Sequence, residues 1–273
     1  MSAAGPPQGA KAPSGGSAAA LAASVGAIWQ AVAPSLPDFT VEILPEVDST
    51  NSELMRRARS GSMDSVLLVA KRQTAGRGRL GRGWASADDA SLTFSLGLGL
   101  APPDWSGLSL AVGVALAESL HPAVRLKWPN DLWLDDRKLG GILIETASFG
   151  EREARRYAVV GAGINLAAPS AMGLSTAPAW LRELLPGIDA GQALLRIAAP
   201  LVQAVMAFEL TGFAAFQARF DARDALRDRA VTLSDGTRGT AHGTSETGAL
   251  LVHTAGGMRT VTSAEVSVRP AGS

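Results

Sequence analysis

Apolar and polar side chains alternate over residues 39–44 (FTVEIL), the two-residue period of a half-buried strand. The pattern then switches. Asp48-Ser49-Thr50-Asn51 supplies helix-capping side chains, Glu53 stands three after Thr50 as in a capping box, and Leu54, Met55 and Ala58 follow at helical spacing. Residues 65–70 (SVLLVA) form a short continuous apolar run, which predicts a buried strand. Residues 71–90 have no apolar period and are rich in glycine and arginine, predicting a long loop. Loops of this length inside compact domains are usually functional or disordered.

Further along, residues 91–100 predict a strand and residues 108–120 an amphipathic helix led in by Ser106-Gly107. Residues 124–126 and 131–134 are short strands around a Trp-Pro-Asn turn, and 139–146 and 156–165 are Ile/Val-rich strands. Residues 167–187 are Pro/Ala-rich and irregular. Residues 188–220 are mostly helical, with Leu194, Leu195, Ile197, Leu201, Val202, Val205 and Met206 at helical spacing. After Asp228 the texture changes: Asp235-Gly236, Glu246-Thr247-Gly248 and Gly256-Gly257 punctuate short Val/Leu/Thr runs, predicting a small β-barrel-like module. The expected organisation is a poorly structured tail over 1–37 with a short helix or tail extension at 21–32, a mixed α/β domain over 38–228, and a small all-β domain over 229–273. No internal repeat is visible.

Composition narrows the function classes. The chain has 273 residues, is 47% hydrophobic and 18% charged, and balances 25 Lys and Arg against 25 Asp and Glu. That is the make-up of a globular protein with ample core and no overall field to gather nucleic acid or anionic membrane. With no cysteine, disulfides, thiolate metal sites and a cysteine nucleophile are excluded. The apolar stretch at 18–33 ends in a cleavage-like Ala31-Val32-Ala33, but it follows a Pro/Gly/Ser-rich tail with only Lys11 as a basic residue, which argues against a secretion signal. No segment reaches the run of about 18 strongly apolar residues that spans a bilayer.

Four segments carry candidate chemistry. In Gly76-Arg77-Gly78-Arg79-Leu80-Gly81-Arg82-Gly83-Trp84, glycines allow close backbone approach to a ligand, and successive N–H groups can form an anion-binding nest. The three arginines add forked donors for carboxylate or phosphate, and Trp84 offers a face for a purine. Taken alone, the run reads equally as an RNA-binding Gly/Arg segment or a solvated loop. It matches neither the phosphate-loop pattern nor the dinucleotide fingerprint. In Lys127-Trp128-Pro129-Asn130-Asp131 the aspartate can bind Mg²⁺ or orient an amine, or simply cap a turn. Lys138 opens the strand Lys138-Leu139-Gly140-Gly141-Ile142-Leu143-Ile144-Glu145, and Gly161-Ala162-Gly163-Ile164-Asn165 ends another. Glycines there permit either a ligand or tight strand packing.

Taken together and in order, Asp48-Ser49-Thr50-Asn51, Gln73 with the Gly/Arg run, Lys-Trp-Pro-Asn-Asp-Leu, Lys-Leu-Gly-Gly-Ile-Leu-Ile-Glu and Gly-x-Gly-Ile-Asn closely resemble the signature of biotin–protein ligases. The resemblance spans residues 40–165 and, more weakly, 248–252. It implies an α+β fold: a mixed β-sheet with helices, like the catalytic domain of class II aminoacyl-tRNA synthetases, followed by a small SH3-like β-barrel. It also implies a cytoplasmic ATP- and Mg²⁺-dependent enzyme that makes biotinyl-5'-AMP and biotinylates one lysine of a carboxylase's biotin carrier protein.

By the same resemblance, Ser49, Thr50, Asn51 and Gln73 would bind the biotin rings, and Gly76, Arg77, Gly78, Arg79 and Lys138 its carboxylate and the acyl phosphate. Arg79, Arg82, Trp84, Asn130 and Asn165 would face ATP. Arg79, Lys138 and Asp131 would serve the chemistry, Asp131 as Mg²⁺ ligand or as the group that orients the acceptor amine. Larger relatives begin with a helix-turn-helix domain, for which the stretch before the first strand is too short; a ligase without DNA binding, monomeric or homodimeric, is expected. Leu80 departs from the family, which often has a basic or polar residue there. Lipoate or octanoate ligation on the same fold is the alternative enzyme, and RNA binding through the Gly/Arg run the alternative class.

Overall fold

The structure is a computed structural model that describes residues 15–87, 89–148, 155–169, 176–262 and 268–270. The tail expected over residues 1–14 lies outside the described residues.

A seven-stranded sheet forms the frame: β1 (Thr40–Val47), β2 (Val66–Gln73), β3 (Ser91–Leu100), β4 (Arg125–Lys127), β5 (Asp131–Leu134), β6 (Arg137–Ala147) and β7 (Arg156–Asn165), in the order β1-β2-β3-β7-β6-β5-β4. Only β1 and β2 run parallel, joined by helix α2 (Thr50–Arg59); every other pair is antiparallel. That mixed sheet with helices is the expected catalytic fold.

One face of the sheet is the main core. Helices α1 (Gly15–Val32), α3 (Leu108–Leu120) and α4 (Ala190–Thr211) cover it. The short helix expected at 21–32 begins earlier, at Gly15, and buries Leu21, Ile28 and Val32. Gly191 of α4 lets it come close: a Cβ there would stand 2.9 Å from Ala20 O and 3.1 Å from Leu21 Cα. Helix α3 has its expected bounds but is not amphipathic. It is wedged between sheet and α4, so Leu110, Ala111, Val112, Val114, Leu116 and Ala117 all bury, as fits a helix apolar all round. Helix α4 is long and apolar enough to cross a membrane by composition, yet Leu194, Ile197, Leu201, Val205 and Phe208 are buried in this core.

The opposite face carries α2, whose Leu54, Met55 and Ala58 pack on Val66, Leu68, Tyr157 and Val159. The expected capping box does not form. Ser49 is the N-cap, accepting from Ser52 N–H, while Glu53 turns to Arg56 and Arg57. The reason is competition, since Thr50 is drawn into hydrogen bonds with Gln73.

The helical stretch expected at 188–220 breaks at Gly212 (φ 66) into α4 and α5 (Ala214–Asp221). Beyond it β8 (Ala230–Leu233), β9 (Arg238–Thr244), β10 (Leu250–Thr254), β11 (Gly257–Val261) and β12 (Val268–Pro270) form an antiparallel sheet, ordered β11-β10-β9-β8-β12. This is the small all-β unit expected, although the described strands do not close into a barrel. Trp128, fully buried, donates through Nε1 to Gly248 O at 3.0 Å and ties this unit to the turn between β4 and β5.

Candidate active site

Strand register assembles the site. Ala70, Thr93, Gly163, Gly141 and Asp131 align across β2, β3, β7, β6 and β5, and Leu68, Ser95, Gly161 and Leu143 form the next row. Side chains alternate faces along a strand, so each row shares one face. Two glycines make room there for neighbouring side chains: a Cβ at Gly161 would overlap the Asn51 amide, and one at Gly163 the Trp84 indole. Above these rows lies a cavity of ≈ 230 Å³, lined by the start of α2, the loop after β2, the β4–β5 turn, and β6 and β7.

One end of the cavity carries no net charge and is rich in hydrogen bonds. Gln73 ends β2 opposite Val47, which brings its amide to the first turn of α2. Thr50 N–H and Oγ1 both donate to Gln73 Oε1, at 2.8 and 3.1 Å. Ser95 Oγ lies 2.7 Å from Thr50 Oγ1 and 2.6 Å from Asn51 Oδ1. A hydroxyl has one proton, so Ser95 donates to one of them at a time and the set can rotate to suit a ligand. The Asn51 amide donates to Leu143 O at 3.2 Å and Glu145 Oε2 at 3.1 Å. Ser49, Thr50, Asn51 and Ser95 are all buried.

The Gly/Arg segment is a small hairpin over the cavity, not an open solvated loop. Trp84 N–H donates to Gly76 O at 2.8 Å and Gly78 N–H to Arg82 O at 2.7 Å, with a single 3-10 turn at Arg79–Gly81. Leu80 at the tip has φ 55 and is 72% exposed, so it contributes no contact comparable to a basic side chain reaching inward. Two arginines strap the hairpin down. Arg77 pairs with Glu145 at 3.0 Å, and Arg79 Nη1 donates to Asn130 Oδ1 at 3.2 Å. Trp84 lies against the backbone of Gly163, and its Nε1 is buried without a hydrogen-bond partner among the described residues.

The other end is cationic. Lys138 Nζ donates to Asp131 Oδ1 at 2.7 Å, with Arg79 and Arg82 nearby on the cavity wall. Burial holds the Arg79 guanidinium below the usual arginine value; Asp131 offsets part of this and Arg82 adds to it. Asn130 is fixed by its amide donating to Ile142 O at 2.8 Å. Asn165 uses its amide on Ala179 O at 3.0 Å and Lys138 O at 3.3 Å, pinning the chain around 177–179 beside β6.

Every expected site residue except Gly76 lines the cavity. Gly76 stands behind it, where a Cβ would be 2.9 Å from Gln73 Nε2 and would overlap Trp84 O. Arg77 reaches Glu145 at the neutral end, away from Lys138. Asp131 is engaged by Lys138, and no group of three or more His, Asp or Glu side chains that could hold a metal occurs among the described residues. Ser95 and Glu145, which stand behind the cavity wall and hydrogen-bond Thr50 and Asn51, were missed; a lone serine inside an apolar strand gives no local signal, and only the β3–β7 register brings it to Asn51.

A cavity with a neutral hydrogen-bonding end, a glycine-cleared floor and a cationic end under an arginine hairpin suits an acid activated through phosphate. Known proteins agree. Residues 44–165 match the model of the Biotin/lipoate A/B protein ligase family, and residues 228–269 that of the Biotin protein ligase C terminal domain. The Bifunctional ligase/repressor BirA of Escherichia coli is 36% identical over 246 residues, covering 85% of this chain and 75% of that protein. The Biotin--[acetyl-CoA-carboxylase] ligase of Paracoccus denitrificans is 33% identical, covering 82% and 98%. The biotin protein ligase of Aquifex aeolicus, solved in complex with biotin and ATP, superposes with a TM-score of 0.71 at 29% identity, covering 85% of this chain and 99% of that one. The chain belongs to the biotin/lipoate A/B protein ligase family, in the branch that carries the biotin protein ligase C-terminal domain.

Proposed function

We propose that this chain condenses biotin with ATP to biotinyl-5'-AMP and then transfers the biotinyl group to a lysine of a biotin carrier protein. The observation that carries the reading is the polarity of the cavity: Thr50, Gln73 and Asn51, backed by Ser95, at one end, and Lys138, Arg79 and Arg82 at the other. A cyclic urea needs donors and acceptors without charge at the first end, and a carboxylate next to a triphosphate needs fixed cations at the second.

In the first step a biotin carboxylate oxygen attacks the α-phosphorus; a P–O bond forms, another breaks, and pyrophosphate leaves. Like charges must be brought together, so the work of the site is positioning and neutralisation. Lys138 and Arg79 take the carboxylate and acyl phosphate, while Arg82, Trp84, Asn130 and Asn165 face the nucleotide. Mg²⁺ arrives on the ATP phosphates as part of the substrate. In the second step the carrier amine attacks the acyl carbon, the C–O bond to AMP breaks, and the amine proton departs. Asp131 is the carboxylate placed to orient that amine, once an anionic ligand draws Lys138 away from it. The hairpin over the cavity keeps water from the adenylate in between. The carrier is a carboxylase's biotin domain, the setting is the cytoplasm, which a cysteine-free chain suits, and the enzyme works as a monomer or homodimer without nucleic acid.

The test is pyrophosphate release from ATP with each acid in turn. Release with biotin, but not with lipoate or octanoate, is expected. Release with lipoate or octanoate alone would overturn the reading in favour of the other branch of the family.

A further inference from the structure

The ion pair between Arg77 and Glu145 lies where an acid-binding arginine has no ligand charge to meet. On β6 Gly141 and Leu143 line the cavity, and Glu145 follows on the same face at the two-residue period of a strand, just beyond the lining. Asp131 pairs with Gly141, so the Lys138–Asp131 end is about 13 Å away along the strand, at roughly 3.3 Å per residue. Arg77 is therefore held near Asn51, at the neutral end. Glu145 Oε1 and Oε2 stand 3.0 and 3.3 Å from Arg77 Nη1, and Asn51 Nδ2 is 3.1 Å from Oε2. The carboxylate side chain is 22% exposed against 50% for Arg77, so it is the member that needs its partners.

Arg77 is also placed to control the hairpin. It sits between Gly76 and Gly78, whose backbone atoms make the two rungs that close the hairpin, and itself bridges to Gly83. A tether at that position fixes the base of the hairpin, whereas the Arg79–Asn130 bond fixes its tip. We propose that Glu145 is a positioning residue: through Arg77 it holds the hairpin of residues 76–84 down over the cavity, and it ties that closure to Asn51 in the ring-binding network. The inference rests on the acyl-adenylate reading above for its kinetic consequence, but not for its structural one. Arg77 on this account is a strap and not a ligand of the reacting carboxylate.

Three variants of the full chain test it: Glu145→Gln, Arg77→Gln and the double variant. Glutamine at 145 keeps an oxygen for Asn51 while losing the charge that Arg77 needs. The first readout is amide hydrogen exchange at Gly78 and Trp84 in the ligand-free protein. The second is the rate at which preformed biotinyl-adenylate leaves the enzyme. Each single variant should raise both rates about fivefold, the scale of a partly exposed ion pair. The double variant should be no faster than either, KM for biotin should rise more than kcat falls, and the reversed pair Arg77→Glu with Glu145→Arg should recover part of the loss. Parental exchange in Glu145→Gln, or effects that multiply in the double variant, would overturn the proposal. A parent that makes no adenylate from biotin would sink the ligase reading, while the exchange rates would still judge the strap.

Discussion

Lys138 Nζ donates to Asp131 Oδ1 across 2.7 Å, joining β6 to the start of β5 on the floor of the cavity. The side chains are 33% and 17% exposed, so water reaches the pair only in part. On the roles proposed for the pair, an arriving carboxylate or acyl phosphate would compete with Asp131 for the ammonium and leave the aspartate ready for the acceptor amine. Lys138→Met, which keeps the length and loses the charge, should slow adenylate formation by about 10²–10³-fold, the scale of one fixed electrostatic donor. Asp131→Asn should slow transfer to the carrier more than adenylate formation. Single-turnover rates of the two half-reactions check both; equal losses in the two steps for Asp131→Asn would remove the role given to it.

Arg79 spans the cavity from the hairpin tip to Asn130. Arg79→Gly removes both the strap at the tip and a cation beside the acyl phosphate. Adenylate should still form but escape, so that lysines of unrelated bystander proteins become biotinylated in proportion to biotin and ATP. Bystander labelling measured by mass spectrometry that stays at the parental level would contradict this.

Gly163 has no side chain because the Trp84 indole occupies that space. Gly163→Ala should push the indole off the sheet. On the nucleotide role of Trp84, KM for ATP should rise about fivefold with a smaller change for biotin, since a lost aromatic stacking contact is worth about 1 kcal/mol. Initial-rate kinetics with each substrate varied will show the split; an unchanged KM for ATP would place the nucleotide elsewhere.

Asp224 follows α5 and bridges to Leu126 of β4, where Oδ1 accepts from Leu226 N–H at 2.8 Å and Oδ2 is buried without a partner among the described residues. Burial pushes its carboxyl up to about 6 from the usual 3.8. The native state thus holds the proton that the unfolded chain gives up from about pH 4 upward. The parent should lose stability between about pH 4 and 6 and carry the full deficit above that. Asp224→Asn should therefore be stabilising at pH 8, by on the order of 3 kcal/mol, with the gain vanishing below about pH 4. Urea midpoints at the two pH values check it; an equal gain at both would mean the effect is not ionisation.

Much of the frame was legible in the chain. The bounds read for β3, α3 and β7 are those observed, because each is an apolar run closed off by loop residues. The burial of α3 was legible too and was misread: Leu-Ser-Leu-Ala-Val-Gly-Val-Ala-Leu-Ala has no polar face. The residue types of the site stood in its motifs, but their partners did not. Thr50 and Glu53 fit a capping box locally, and only the register of β1 with β2, which brings Gln73 to Thr50, decides otherwise. Arg77 reads as an anion-binding arginine in its Gly/Arg context, and nothing there announces its ion pair with Glu145, 68 residues later. Such pairings belong to strand register and chain reversal, which local patterns do not encode.

The most direct test is to incubate the protein with biotin, ATP, Mg²⁺ and a biotin carrier domain of a carboxylase, and to weigh the carrier. One biotinyl group should appear on a single lysine, with AMP and pyrophosphate formed in equal amounts and labelling slowed about 10²–10³-fold when Lys138→Met replaces the parent. An unmodified carrier alongside a lipoyl or octanoyl acceptor that is modified would contradict the account.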